Sequence, residues 1–286
     1  MVRAATVRRS RRVRDNDLAL LGDILCGVDG TRTAYEAVRQ AASLTGPNGR
    51  LTLVAITGAL GSGRYSGAAL GPARARRVLS YAQRIASEAG VSAEGLVDDR
   101  APVDEVLLER AGDHSLLALG APSMSRFAHI VVGGIASSAA HRMPASLLIA
   151  RRAPTGPAGT ERIIVASDAL NVSDRLVEFT VRLARRRNAS LQVLHAAHAE
   201  SNFHPTRIKR QTEKVGQAMG GRARMCVIPG RAHDVIVETA TRERATLLVL
   251  GSRQLRGARA LGSVSERVAH DAPCSVLVVR PEDLPG

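Results

Sequence analysis

The sequence predicts an α/β protein made of two tandem, doubly wound domains, each built on a five-stranded parallel sheet. Three observations predict it. Short apolar runs alternate with amphipathic helical stretches along the chain. The alternation repeats: Glu109 and Pro144 recur as Glu238 and Pro273, both 129 residues on, and Asp29 recurs as Asp168. A Pro/Gly segment separates the two copies. The expected organisation is a basic, disordered arm over 1–16, a first domain over 17–150, a linker over 151–160 and a second domain over 161–282.

The elements follow in order. In the first copy, residues 23–28 (DILCGV) read as a buried strand, 33–44 as an amphipathic helix and 50–57 (RLTLVAIT) as a second strand. A Gly-rich stretch, 58–71, reads as a loop. Residues 72–90 read as a long helix with Pro near its start and Gly at its end. A short strand is expected over 91–97, a helix over 103–111, a strand over 115–119, a helix over 133–143 and a last strand over 146–150. The second copy repeats the series: strand 162–166, helix 173–187, strand 190–196, helix 206–220, strand 223–228, helix 233–240, strand 246–250, helix 262–270 and strand 275–280. Parallel strands joined through helices place ligands at the carboxyl ends of the strands.

Composition narrows the classes. The chain of 286 residues is 45% hydrophobic, enough for two cores, and has no Trp, three Phe and three Tyr. The cores must therefore be aliphatic. No apolar run approaches the ~20 residues of a membrane helix. Net charge is +14, nearly all of the basic charge being Arg, since Lys occurs only at Lys209 and Lys214. Such a charge attracts polyanions, yet scarce aromatics and the lack of a reading motif exclude sequence-specific nucleic-acid recognition. Cys26, Cys226 and Cys274 have neither disulfide nor zinc spacing; each sits in or beside an apolar run, as a small hydrophobe of a reducing, cytoplasmic protein.

Two features converge on the carboxyl ends of the strands. One is an acid directly after the first strand, Asp29 in GVDGT and Asp168 in ASDAL. The other is a Gly after the fourth strand, Gly120 or Gly251, then a loop, then a helix that opens on small residues. In the second copy that helix opens Gly262-Ser263-Val264-Ser265. Free N–H groups at a helix start, with hydroxyls on Ser263 and Ser265, suit an anion such as phosphate. Arg253, Arg256 and Arg259 lie in the loop between. Alone, this Gly/Ser signal equally describes an ordinary strand–loop–helix turn.

The run GSVSERVAHDAPCSVLVV resembles the C-terminal signature of the universal stress protein family: G-x-x-G, nine residues, G-[ST], then a helix and a final strand. The resemblance extends over both copies, from about Leu21 to Arg280. It implies an adenine nucleotide alpha hydrolase-like fold and ATP as ligand, with Mg²⁺ brought by the phosphates. By that resemblance the site residues are Asp168, Ala196, Gly251, Arg253, Gly262, Ser263, Val264 and Ser265 in the second copy, and Asp29, Gly120 and Gly133 in the first. Ala196 would border the adenine. Each copy departs from the signature. In the second, Gln254 stands at the second Gly and only seven residues separate it from Gly262. In the first, Ser123 takes that place and G-[ST] has become Gly133-Gly134, followed by Ile135-Ala136.

The resemblance implies an ATP-binding stress-response or signalling protein with at most slow hydrolysis. The alternatives are a scaffold of the same fold that binds no nucleotide, and a hydrolase or transferase, for which no nucleophile–base pair is visible. His195, at a strand end, reads as structural, and no residues have metal-ligand spacing. In the family the final strand pairs across a dimer. Residues 146–150 and 275–279 are accordingly expected to pair within this chain as an internal pseudo-dimer, covering both edges. Further homodimerisation is left open.

Overall fold

The computed structural model describes residues 21–45, 49–57, 70–100, 102–121, 144–151, 161–168, 171–197, 205–252 and 263–284. The expected arm, the helix over 133–143, linker residues 152–160 and most of the Gly-rich stretch lie outside these.

The first half runs β1 (Asp23–Gly27), α1 (Arg32–Thr45), β2 (Arg50–Ile56), α2 (Pro72–Glu88), β3 (Ala93–Asp98), α3 (Val103–Ala111), β4 (Leu116–Gly120) and β5 (Ser146–Ala150). The second runs β6 (Arg162–Ala166), α4 (Asn171–Arg186), β7 (Ser190–Ala197), α5 (Pro205–Met219), β8 (Ala223–Pro229), α6 (Ala232–Arg242), β9 (Leu247–Gly251), α7 (Ser263–Asp271) and β10 (Ser275–Val279), then a short 3-10 turn over Pro281–Asp283. One departure from expectation is β3, which starts two residues late. Gly90, at φ 76°, turns the chain out of α2, and the Val91 N–H closes on the Ala86 carbonyl at 3.0 Å. Val91 therefore caps the helix before the strand can start.

All strands join one ten-stranded sheet in the order β3-β2-β1-β4-β5-β10-β9-β6-β7-β8. Pairing within each half is parallel. The halves meet where β5 and β10 pair antiparallel, Leu148 opposite Leu277. The expected internal pairing of the two last strands is what the structure shows. All five residues of each strand are buried. Such strands lack a solvent face and read as continuous apolar runs, SLLIA and SVLVV. The outer strands are β3 and β8, where Val97 and Val227 are exposed.

Helices cover both faces. Ala37 and Val38 of α1, Val78 of α2, Leu176 of α4 and Val215 of α5 pack on one face. Val106 of α3, Val235 of α6 and Val268 of α7 pack on the other. Each fully buried Leu, Ile or Val contributes roughly 1.5–3 kcal/mol. No helix among the described residues is long and apolar enough to cross a membrane.

Two related clasps hold the central pair. Ser275 Oγ donates to the Arg151 carbonyl (2.9 Å) and accepts from the Arg151 N–H (3.0 Å) and from Gln40 Nε2 (2.9 Å). The Arg151 guanidinium, 1% exposed, donates to the carbonyls of Ala269 (2.6 Å) and Cys274 (3.3 Å). Arg151 is thus packed core, although the sequence places it first in the linker. At the other end Ser146 Oγ donates to Asp283 (2.7 Å) and accepts from the Arg280 N–H (3.0 Å). Arg280 in turn pairs with Asp283 (2.8 Å).

Candidate functional site

The candidate site lies at the carboxyl ends of β6, β7, β8 and β9, on the face covered by α6 and α7. Ala166 ends β6, and Ala196 and Ile228 are register partners on β7 and β8. These three, with Ala232 and Val264 from the starts of α6 and α7, are only partly buried against the core of that face. Small side chains at 166 and 196 leave a shallow apolar floor there.

Asp168 stands exposed at the rim, just past β6. The Ser167 N–H still pairs with the Leu194 carbonyl (3.0 Å), so the acid leaves the sheet at the next residue. Ser173 Oγ, in the first turn of α4, donates to Asp168 Oδ1. In the first half Asp29 is exposed in the same way. It accepts from the Thr31 N–H (2.8 Å) and Thr31 Oγ1 (2.7 Å), while Thr31 Oγ1 accepts the Ala34 N–H (3.2 Å) that opens α1. Each acid is therefore tied to a hydroxyl near the start of the next helix; at Asp29 this is an Asx turn running into a Thr31 cap, whereas at Asp168 the hydroxyl is Ser173, within the first turn of α4.

Gly251 is the last residue of β9 and Gly120 the last of β4, both within their strands. They differ in what surrounds them. A Cβ on Gly120 would lie 2.3 Å from Thr33 C and 2.4 Å from Ala34 N, so the backbone of α1 fills that space. At Gly251 the nearest described atom, Leu176 Cδ2, is 3.5 Å away, an ordinary contact. Ser263 begins α7, and Val264 packs beside the floor. Ser265 is buried, and its Oγ donates to the Gly251 carbonyl at 3.1 Å. The hydroxyl read from sequence as a phosphate donor here fastens α7 to the end of β9. Arg253, Gly262 and Gly133 lie outside the described residues.

The same region of the first half is closed. Ile56 (7% exposed) holds the register position of Ala196, two residues past the partner of the β1 end. Gly27 is covered by Leu119 and Leu107, with Leu119 Cδ2 only 2.9 Å from where a Cβ would stand. Opposite Ile56, where β8 has Ile228, stands Asp98 (5% exposed). Asp98 accepts from the Arg100 N–H (3.0 Å) and side chain (3.1 Å) and from Arg110 Nε (2.7 Å). Arg100 also reaches Glu109 (2.9 Å). The Arg100 hydrogen bonds, reinforced by Arg110, hold the Asp98 carboxyl far below the usual carboxylate range despite its burial. Glu109 itself is mostly exposed, at the solvent end of this clamp. Laying β3 beside β8 in register reveals the clamp, because an acid then faces an isoleucine.

His195 precedes Ala196 and points to the opposite face, where Gln211 of α5 is buried too. It is 4% exposed, and its Nε2 has no hydrogen-bond partner among the described residues. Burial pulls its pKa down against the Ser167 backbone, Gln211 and the charge of Asp168. Among the described residues no cluster of three His, Cys, Asp or Glu side chains could hold a metal.

Comparison with known proteins adds an independent line. A model of the universal stress protein family matches the chain twice, over residues 21–151 and 159–280. A universal stress protein from Thermus aquaticus is 29% identical over 133 residues, covering 41% of this chain and 97% of that one. The crystal structure of a universal stress protein from Archaeoglobus fulgidus covers 90% of this chain and 96% of its own at 19% identity and a TM-score of 0.66. A putative universal stress protein from Pseudomonas aeruginosa covers 92% and 95% at 17% identity and a TM-score of 0.66. Identities this low carry the fold alone.

Proposed function

The chain belongs to the universal stress protein family, and from that premise we propose that its second half binds an adenine nucleotide, ATP with Mg²⁺ on its phosphates, in a cytosolic stress-response or signalling role. One observation carries the reading. Among the described residues the floor of Ala166, Ala196 and Ile228 is only partly buried beside Asp168, while the matching region of the first half is filled by Ile56 and the Asp98 clamp. An adenine ring needs a flat apolar surface with a polar group at its rim, and the second half supplies both.

In this reading the adenine lies against Ala196 and Val264, and Asp168 takes a ribose hydroxyl. The phosphates meet the N–H groups at the start of α7, from Gly262 through Ser265, where the helix dipole favours an anion. Arg253 adds positive charge. Ser265 keeps α7 fixed to Gly251 rather than reaching the phosphates itself. The first half, with Asp29, Gly120 and Gly133, is mainly the packing partner. The metal supplies charge neutralisation on the phosphates.

Calorimetric titration with ATP and Mg²⁺ tests the proposal, using Ala196→Ile, which installs the residue of the first half. Saturable binding by the parent at micromolar ATP, lost in Ala196→Ile and weakened in Asp168→Asn, is expected. No binding by the parent at high micromolar ATP would favour a scaffold without nucleotide. The substitution of Gln254 for a signature glycine supports that second reading.

A further inference from the structure

The outward side of α2 carries a stripe of exposed basic side chains. Arg74, Arg77, Tyr81 and Arg84 fall at i, i+3, i+7 and i+10, which places them within one stripe. All four are exposed, and Arg76 is exposed beside them. The apolar side of the same helix is buried through Val78, Leu79, Ala82 and Ile85. Elsewhere several arginines meet carboxylates, as at Arg50–Asp23, Arg110–Asp98 and Arg280–Asp283, and others, such as Arg151 and Arg175, meet backbone carbonyls. Among the described residues none of Arg74, Arg76, Arg77 or Arg84 has a carboxylate partner. Arg84 lies instead over the Tyr81 ring, 4.7 Å from its centroid, and Tyr81 meets Tyr35 of α1 edge-on at 4.6 Å. Two of the three tyrosines in the chain are thus used to hold a guanidinium in place on this face.

We infer that the α2 stripe of Arg74, Arg77 and Arg84 is a docking surface for the phosphate backbone of nucleic acid, without regard to base sequence. Unpaired guanidiniums at helical spacing call for a polyanion, and planar guanidinium donors match phosphate oxygens. The stripe spans ten residues, about 15 Å of helix, which faces roughly four phosphates of one duplex strand. The Tyr81 hydroxyl adds a neutral donor. A membrane surface is a poorer fit, because insertion needs apolar residues on the outward side and α2 has turned its own inward. A second copy of the chain is repelled by like charge. Base reading is absent too: Arg84 and Tyr35 already occupy the Tyr81 ring.

The test is fluorescence anisotropy of the full chain with a labelled DNA duplex of about 20 base pairs, over about 50–200 mM salt. The parent should bind, with affinity falling steeply as salt rises. Arg74→Gln/Arg77→Gln/Arg84→Gln should flatten the slope of log affinity against log salt by roughly 2.7, about 0.9 per lost contact. The triple Lys variant keeps the charge and should keep the slope. Thermal melting confirms that both variants are folded. An unchanged slope in the Gln variant would overturn the proposal and place the contact elsewhere, on residues 1–16 or on α5. Parent binding to phosphatidylserine vesicles but not to the duplex would overturn it in favour of a membrane.

Discussion

The pseudo-equivalent glycines 120 and 251 should respond oppositely to the same change. In Gly120→Ala the new Cβ would stand 2.3 Å from Thr33 C, 2.4 Å from Ala34 N and 2.6 Å from Thr33 O. These are backbone atoms, so no rotamer relieves the contact. The first turn of α1 would have to retreat by about 1 Å, and core residues Ala37, Val38 and Ala41 resist that. Overpacking of this kind destabilises by about 3 kcal/mol, which lowers Tm by roughly 6–12 °C in a chain of this size. In Gly251→Ala the nearest described atom is Leu176 Cδ2 at 3.5 Å, and no described backbone atom lies within 3.5 Å. That variant should stay within about 0.5 kcal/mol of the parent. Urea unfolding and thermal melting read both. Gly251→Ala should also be assayed by ATP titration, since a folded variant that no longer binds assigns the glycine to the ligand. Equal destabilisation of the two variants, or a Gly120→Ala protein as stable as the parent, would refute the reasoning.

Three further outcomes follow from the geometry. Ser275→Ala strips the partner from the Arg151 and Gln40 N–H groups at the centre of the sheet and should destabilise by about 2–4 kcal/mol in urea unfolding. Asp98→Asn should lower stability at neutral pH. The parent carboxyl titrates below its unfolded value, so its contribution is complete above about pH 4 and is lost as pH falls further; urea midpoints of the two proteins should converge in acid. Cys26 and Cys274 are buried, and burial pushes the Cys274 thiol up to about 12, whereas Cys226 is half-buried. Iodoacetamide should label at most Cys226 in the native protein and all three thiols after unfolding, as read by mass spectrometry.

The fold was legible because its signals are local. Continuous apolar runs such as SLLIA and TLLVL leave strands little alternative, and the repeat of Asp29 as Asp168 and Pro144 as Pro273 aligns two copies without any structure. The pairing of β5 with β10 was expected from the family resemblance, in which the final strand pairs across a dimer, and the two edges lie in one chain here. The site was less so. Gly120 and Gly251 look identical in sequence, yet among the described residues one is pressed by the backbone of Thr33 and the other is not. That difference depends on how closely α1 and α4 approach the sheet, which no local pattern encodes. The Ser265 bond to the Gly251 carbonyl was not legible for the same reason, since the two lie 14 residues apart. The Asp98 clamp needed β3 and β8 in register, and Arg151 needed β10 beside it.

The asymmetry of the halves bears on which residues any ligand could use. Each half keeps the acid after its first strand, so the acid alone does not make a site. Asp29 and Asp168 both accept a hydroxyl bond from the region of the next helix start, and Asp29 is fully used by its Thr31 turn and cap. What separates the halves is bulk two residues further along the neighbouring strand. Ile56 and Asp98 fill in the first half what Ala196 and Ile228 leave accessible in the second. A protein that needed both sites would not bury a carboxylate under two arginines in one of them. A protein that needed neither would gain by filling Ala196 as it filled Ile56, at roughly 0.8 kcal/mol per added methylene buried. The floor left open in one half only is therefore the feature that most needs a ligand to explain it.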